Sequence, residues 1–251
     1  MAEEKRVDAN DDLGTERVGK LLMRFSVPCV LSMLVSALYN IVDQIFIGQG
    51  VGYLGNAATN VVYPFTVVAL ALALMIGDGS AALLSLSLGR GDRESAHKSV
   101  VNGIVLTGIA AIVVTGIGAI LMDPILTLFG VTEGCYEYAR EYMSVILLGI
   151  PFYMITSSTN GAIRADGSPH FSMAATAVGA LINIVLDPVA IFILDWGVWG
   201  AAAATVVGQV VTCILSVLYF FHPKSFVLCK KSFSLCGNIV KRIFMLGISS
   251  L

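Results

Sequence analysis

The chain has 251 residues, of which 57% are hydrophobic and 13% are charged, and its formal net charge is −2. A soluble domain has about a quarter charged residues, which it needs for a polar surface. The composition therefore excludes an ordinary soluble protein and predicts an all-α polytopic membrane protein.

The first 20 residues are polar, carry charges of both signs and lack the short apolar core of a signal peptide. We interpret residues 1–20 as a cytosolic N-terminal tail. Six apolar segments follow, and each can supply the roughly 20 residues that a helix needs to cross a bilayer. These spans are predicted at residues 21–47, 57–86, 98–121, 138–163, 170–194 and 198–221.

A seventh apolar segment begins near Asn238. We therefore expect a six-helix transmembrane lobe at residues 21–221, a cytosolic linker at 222–237 and the start of a seventh helix at 238–251. Of the 15 lysines and arginines, all but Arg140 lie in the tail, at the start of the first span, after the second and fourth spans, or between the sixth span and the early seventh. The positive-inside rule then predicts that the N-terminus and these loops are cytosolic.

Two spans carry a small residue at every fourth position, and small residues let helices approach closely in lipid. This pattern predicts tight packing rather than a functional site. Trp196 and Trp199 lie at the expected outer ends of the fifth and sixth spans, where an aromatic belt belongs. The small residues are Ser99, Gly103, Thr107, Ala111, Thr115 and Ala119 in the third span, and Gly200, Ala204, Gly208, Thr212 and Ser216 in the sixth.

Three carboxylates lie within the predicted spans, at Asp43, Asp78 and Asp187. A charged residue at the centre of a membrane helix costs roughly 2.5–3.5 kcal/mol on insertion scales, so it usually faces the bundle interior or a wet cavity. Asp187 lies one turn after Asn183 and two turns after Gly179, so that these three residues share one helix face. We expect this polar face to point into the lobe.

The first span carries a second polar stripe, formed by Ser32, Ser36, Tyr39, Asn40 and Asp43. At 1.5 Å per residue, Asp43 lies ~8 Å, Asp187 ~12 Å and Thr205 ~10 Å below the outer ends of their spans, and Asn183 lies one turn deeper. Two carboxylates, an amide and a hydroxyl at a common depth predict a site for a proton or a hard monovalent cation such as Na⁺. The alternative is a buried polar cluster that only holds the helices together.

Asp78 differs from the other two acids because it lies ~30 Å below the outer side, nearer the cytosol. It is flanked by Gly77 and Gly79. We favour a role in helix packing over a role in transport.

Prolines interrupt several of the spans, among them the first, the second and the fifth. Pro188 has no N–H to bond the carbonyl of Ile184, so a bend that exposes this carbonyl is expected there. Pro28 and Pro64 are candidates for similar bends, and a tolerated kink without function is the alternative. We name Pro28 and Pro188 as candidate hinges.

The sequence contains no arrangement typical of an enzyme, a metalloprotein or a nucleic-acid-binding protein. Its five cysteines and three histidines do not cluster, and they lack the spacing of metal or redox sites. We therefore expect no enzymatic activity, no cofactor and no metal site beyond a coupling ion.

Five stretches of the chain together resemble one known family. In order and spacing they are similar to the MATE (multidrug and toxic compound extrusion) transporters, and most of all to the DinF-like branch. The last eleven residues, KRIFMLGISSL, also resemble KLLMRFSVPCV at the start of the first span, as an internal repeat would. The five stretches are LYNIVDQIFIGQ, LGRGDRESA, RADGSPH, NIVLDP and GVWGAAAATVVGQ.

The resemblance implies the N-terminal lobe of a twelve-helix fold, whose partners would be the C-terminal lobe of the same chain, membrane lipid and a small drug-like substrate. It also implies a secondary antiporter of a prokaryotic plasma (inner) membrane. Such a protein exports small organic compounds, cationic or amphipathic, in exchange for H⁺ or Na⁺ by alternating access.

The resemblance also implies roles for individual residues. Tyr39 and Asn160 match accessory polar positions of the family, and we expect them to line the substrate cavity with Ser36 and Asn40. Pro28 matches the residue about which the first span bends. The coupling-site positions of the family match Asp43, Asn183, Asp187 and Thr205.

Two other functions remain open at this point. A lipid-linked oligosaccharide flippase of the same superfamily would be expected to hold pyrophosphate with arginines, whereas no lysine or arginine lies deep in a predicted span. A membrane scaffold that transports nothing would not need acids at matched depths in the outer half of the membrane.

Overall fold

The computed structural model describes residues 17–221, residue 223 and residues 236–250. Most of the predicted tail and linker therefore lies outside the described residues. Within them the secondary structure is helical. The α-helices are α1 (Val18–Gly50), α2 (Tyr53–Gly89), α3 (Arg93–Ile120), α4 (Met122–Leu128), α5 (Tyr136–Ala165), α6 (Pro169–Pro188), α7 (Gly197–Tyr219) and α8 (Gly237–Gly247).

Six of these helices are long and apolar enough to cross a membrane, which confirms the six predicted spans. A helix satisfies all of its backbone hydrogen bonds internally, as lipid requires. The prediction that a seventh helix begins near Asn238 is also confirmed, since α8 starts at Gly237. The chain is thus an integral membrane protein.

The ends of the helices differ from the predicted ends by a few residues. Helix α1 begins at Val18, so the last residues of the predicted tail already belong to it. Helix α3 stops at Ile120, and the separate short helix α4 follows where a loop was expected. Glycines with φ of 72° at Gly91 and 77° at Gly167 form the turns after α2 and α5, a conformation that other residues rarely adopt.

The fifth predicted span is not one uniform helix. Helix α6 ends at Pro188, and a π-helical turn (Val189–Ile193) completes the span. Pro188 cannot donate a backbone hydrogen bond, and a wider turn lets the chain continue after it. The backbone N–H of Leu194 then donates to the carbonyl of Val189, at 3.0 Å.

Helix α5 lies at the centre of the lobe and packs against α2, α3 and α7. Helix α6 packs between α1 and α7, while α8 lies against α2 and α3. Helix α1 is the most exposed of the spanning helices, since only Pro28, Asp43 and Ile47 are buried in it. A buried carboxylate on such an exposed helix marks the place where α1 meets α6.

The small-residue stripe of the sixth span is buried along its whole length in α7, from Gly200 to Ser216. In the third span the stripe is buried from Ser99 to Ala111, but Ala119 is exposed. A four-residue repeat drifts by about 40° per step on a helix with 3.6 residues per turn. The end of that stripe has therefore turned away from the core, where Gly118 is buried instead.

Asp78 lies between two close helix crossings. A Cβ on Gly77 would be 2.5 Å from the Cα of Ser158 in α5, and a Cβ on Gly79 would collide with the backbone of α8 at Ile243. The half-buried Asp78 lies within electrostatic range of Arg164. Both flanking glycines are thus explained by helix contacts, which supports the packing interpretation of this segment.

Candidate functional site

Three helices bring together the four residues predicted for a coupling site. Asp43 is buried on α1, where it faces α6. Asn183 and Asp187 are buried one turn apart on α6, and Thr205 is half-buried on α7. The shared face and the matched depth that the sequence suggested thus correspond to one cluster in the structure. Their role as cation ligands stays a prediction.

Short polar contacts connect the members of this cluster. The side-chain amide of Asn183 donates to Asp187 Oδ1 at 3.2 Å and to Thr205 Oγ1 at 3.3 Å. The carboxyl groups of Asp43 and Asp187 contact each other directly. Two carboxylates in contact repel one another unless a proton or a cation lies between them. The amide of Asn183 thus connects Asp187, one member of this carboxyl pair, with Thr205.

Three oxygens of the cluster are buried and have no hydrogen-bond partner in the described part of the chain, namely Asp43 Oδ1, Asn183 Oδ1 and Asp187 Oδ2. Buried polar atoms are nearly always paired, so each exception points to strain, function or a small ligand. All three atoms are acceptors with a preference for a proton or a hard cation. The cluster is thus chemically suited to one of these.

Close packing on both sides fixes the positions of these side chains. A turn below Asn183, α6 and α7 cross at two glycines, because a Cβ on Gly208 would be 2.8 Å from the carbonyl oxygen of Gly179. Above Asp187, the π-helical turn packs on the end of α1, with Phe46 and Phe192 in edge contact at 6.1 Å. Neither crossing leaves room for a larger residue at the contact.

The structure separates the four predicted cavity residues. Tyr39 is half-buried and within electrostatic range of Asp43 and Asp187. Ser36 is also half-buried, and its carbonyl accepts the amide of the exposed Asn40 at 2.7 Å. Asn160 instead accepts a hydrogen bond from Ser172, at 3.0 Å. Of these four, Tyr39 is the one whose electrostatic interaction with the carboxyl pair is observed among the described residues.

Sequence reasoning missed two polar side chains near this cluster and a third that lies one turn after Thr205 on α7. Tyr142 on α5 is buried within electrostatic range of both carboxyl groups. The amide nitrogen of Gln44 lies 3.5 Å from Asp43 Oδ2. Gln209 on α7 has a buried oxygen without a partner in the described residues. Its spacing of four from Thr205 was a usable signal, whereas Tyr142 and Gln44 follow no such pattern.

The two candidate hinges have different surroundings. Pro28 is buried within α1, which continues as an α-helix on both sides, and its carbonyl accepts the hydroxyl of Ser32 at 2.8 Å. Pro188 lies where α6 changes into the π-helical turn. A local break in regular helix is thus present at Pro188 and not at Pro28. Hinge motion at either residue stays a prediction.

No group of three histidine, cysteine, aspartate or glutamate side chains comes together among the described residues in a way that could hold a metal ion. The cluster around Asp43 and Asp187 offers only two carboxylates with a neutral amide and hydroxyl. Such a set carries low charge and is better matched to a proton or a monovalent ion than to a divalent one.

The proteins to which this chain is similar are transporters. The family model MatE matches residues 28–189. The multidrug export protein MepA of Staphylococcus saprophyticus is 28% identical over 239 residues, which are 92% of this chain and 51% of that protein. Curated relatives of this kind are thus matched over about half of their length.

Solved structures of transporters are also matched over about half of their length. A crystal structure of MATE in the bent conformation is 30% identical with a TM-score of 0.86, and the match covers 92% of this chain and 52% of the other. A MOP superfamily transporter from Pyrococcus furiosus is 30% identical with a TM-score of 0.82, over 91% of this chain and 51% of that one.

Proposed function

Because the chain belongs to the MatE family, we propose that it forms the N-terminal lobe of a cation-coupled multidrug antiporter. The coupling ion is H⁺ or Na⁺, and Asp43, Asn183, Asp187 and Thr205 hold it. The exported compounds are small organic molecules of cationic or amphipathic character, and no further cofactor is needed. A C-terminal lobe completes the substrate cavity.

The observation that carries this proposal is the carboxyl pair with its unpartnered oxygens. Asp43 and Asp187 lie on different helices and contact each other, and each has one buried oxygen to which no described residue donates a hydrogen bond unless the two acids share a proton. A purely structural cluster would be stabilised by completing those hydrogen bonds. An incomplete one responds to the arrival of a cation, because the cation removes the repulsion between the two acids.

This response can be coupled to export. A cation that arrives from outside binds between the acids and draws α1 towards α6. The two helices carry the candidate hinges Pro28 and Pro188, so a change in their contact can alter the shape of α1. The drug site then loses affinity and the drug leaves outward, after which the lobes reorient towards the cytosol.

The basic loops support a cytosolic N-terminus and the plasma (inner) membrane of a prokaryote as the location. Among the described residues, Arg90, Arg93 and Arg164 lie at the ends of α2, α3 and α5 that face one side of the lobe. Anionic lipids of the cytosolic leaflet attract such residues. Under this orientation the carboxyl pair lies in the outer half of the membrane, from which the coupling ion arrives.

The experiment that tests the proposal measures efflux from proteoliposomes that contain the protein with both lobes. Ethidium, a fluorescent aromatic cation, serves as the probe, under separate H⁺ and Na⁺ gradients. We expect one of the two gradients to drive efflux. Asp43→Asn and Asp187→Asn should each lower it to the rate of protein-free vesicles, because a neutral amide cannot exchange the cation.

Asp78→Asn is the matched control, since it makes the same change within a span but outside the cluster. It should retain gradient-driven efflux. Equal amounts of each variant in the vesicles exclude a loss of folded protein as the cause. Full gradient-driven efflux from both Asp43→Asn and Asp187→Asn would refute the proposed coupling site.

A further inference from the structure

An open cleft of about 500 Å³ lies where α1 ends and α2 begins. None of its lining residues is charged, but three of the six carry side-chain amides. Amides in contact with lipid tails would be costly, so this part of the surface is suited to water or to a polar solute. The lining residues are Asn40, Ile41, Gln44, Ile45, Gly48 and Asn56.

Gln44 connects this cleft with the carboxyl pair. It lines the cleft, and its amide nitrogen lies 3.5 Å from Asp43 Oδ2. On its other side, the amide oxygen accepts a hydrogen bond from the hydroxyl of Thr59 on α2, at 3.1 Å. One side chain therefore contacts the cleft, the neighbouring helix and the first acid of the pair.

Unpartnered acceptors lie on both sides of Gln44. Asn56 lines the cleft, but its Oδ1 is buried beneath the surface and has no hydrogen-bond partner in the described part of the chain, and the same holds for Asp43 Oδ1 beyond Gln44. The absence of a side chain at Gly48 makes room for Asn56, because a Cβ there would be 2.8 Å from Asn56 Nδ2. Both oxygens lie inside the protein rather than on the open surface of the cleft, and each can accept a proton or a cation that has lost its water.

From these contacts we propose that the coupling cation reaches Asp43 from the outer side through the cleft between α1 and α2. Gln44 is the positioning residue of this route. It orients the Asp43 carboxyl towards Asp187 and passes the cation from the amides of the cleft to the pair. The inference rests on the proposed function, and it adds the path and the order of contact, with Asp43 reached before Asp187.

The first test varies the outer H⁺ or Na⁺ concentration, whichever ion drives efflux, and measures ethidium efflux from cells that produce the protein with both lobes. Gln44→Leu should raise the cation concentration for half-maximal efflux by about tenfold, because an apolar side chain slows the entry of the cation along the route. The loss of the amide donor by itself acts in the opposite direction, since that donor stabilises the charged Asp43 carboxylate. The maximal rate at saturating cation should stay close to that of the parent protein, because both acids remain.

Two variants separate this effect from a structural one. Gln49→Leu makes the same change near the end of α1, at an exposed residue that does not line the cleft, and should leave the half-maximal concentration unchanged. Gln44→Glu keeps the length and an oxygen at the same place, and it should not raise that concentration. An equal rise in Gln44→Glu and Gln44→Leu would contradict the route.

The second test blocks the cleft from outside. In a background from which all native cysteines are removed, including the five of this chain, Ile45→Cys is treated with a membrane-impermeant methanethiosulfonate reagent that adds a trimethylammonium group. Labelling should raise the half-maximal cation concentration strongly, since a fixed positive charge would lie in the path. Leu38→Cys is the matched control, because Leu38 is an exposed apolar residue of α1 outside the cleft, and labelling it should change nothing.

The outcomes distinguish the route from the proposed function. In one outcome, Asp43→Asn abolishes gradient-driven efflux, while Gln44→Leu and labelled Ile45→Cys keep the half-maximal cation concentration of the parent protein. This outcome would refute the route and leave the proposed coupling site supported. If the parent protein responds to neither gradient, the proposed function fails, and the route fails with it.

Discussion

Two fully buried carboxylates lie near opposite ends of helix α6, and they differ in their hydrogen bonding. Asp166 precedes the helix and accepts a hydrogen bond of 2.5 Å from the hydroxyl of Tyr219 on α7. Asp187 lies near the other end, against the second acid Asp43, and one of its oxygens has no partner in the described residues. Both have an exposed fraction of 0%. Burial alone therefore does not separate a structural acid from a candidate functional one, whereas hydrogen bonding does.

The largest effect on stability is expected at Asp166. Asp166→Ala removes the acceptor of the Tyr219 hydroxyl in a site without access to water, and it should lower the free energy of unfolding by about 3 kcal/mol. Tyr219→Phe removes only the hydroxyl and should cost less, on the order of 1.5 kcal/mol. Thermal unfolding in detergent measures both, and the double variant shows how much of each effect comes from the shared bond.

Neither change should alter the cation dependence of efflux in the protein that remains folded, because Asp166 and Tyr219 lie at the opposite end of α6 from the carboxyl pair. A shift in the half-maximal cation concentration for Tyr219→Phe would show that the structural contact at one end of α6 also affects the carboxyl pair at the other end.

The candidate site could be predicted from the sequence to the extent that it depends on helical periodicity and depth. Asn183 and Asp187 share a face because they are four residues apart, and the lengths of the spans place Asp43 and Thr205 at the same level. The six spans could be predicted for a similar reason, since about 20 apolar residues in a row have few other structures available.

The remaining features depend on contacts between helices that no local pattern encodes. Asp166 lies in the predicted loop RADGSPH, and the packing of α7 against this turn brings the Tyr219 hydroxyl to its carboxylate. Gln44 follows Asp43 directly, so a helical face drawn through Asp43 does not include it, although α2 brings Thr59 to its amide oxygen. The packing of the π-helical turn against α1 is likewise not encoded locally, since it requires the absence of a side chain at Gly50, where a Cβ would collide with Ile191.

A smaller effect, of the opposite sign, is expected at the carboxyl pair. In Asp43→Asn the new amide can donate a hydrogen bond to Asp187, so that repulsion between two acids is replaced by an attractive contact. The free energy of unfolding should stay unchanged or rise by about 1 kcal/mol. The same measurement on Asp43→Leu, which cannot donate, provides the comparison. A loss of stability in Asp43→Asn as large as in Asp166→Ala would show that both acids are structural.

The smallest effect on stability is expected at Asp92, an exposed carboxylate that caps the N-terminus of α3 between the second and third spans. It accepts the backbone N–H of Ser95 at 3.0 Å, and this hydrogen bond lowers the pKa of Asp92 below its ordinary value. Since the folded-state pKa is the lower one, this contribution to stability is complete above the pKa of the unfolded chain, about 4. It is lost as the pH falls through the lowered folded-state pKa.

Asp92→Asn keeps a neutral oxygen at the cap, so the difference in melting temperature between parent and variant should be largest at neutral pH and should shrink in acid. Asp92→Ala removes the cap at every pH and should melt below Asp92→Asn throughout. Because other carboxylates also titrate in this range, the measured quantity is the difference between variants at each pH. A constant difference between parent and Asp92→Asn from pH 7 down to about pH 3 would mean that charge adds nothing to this cap.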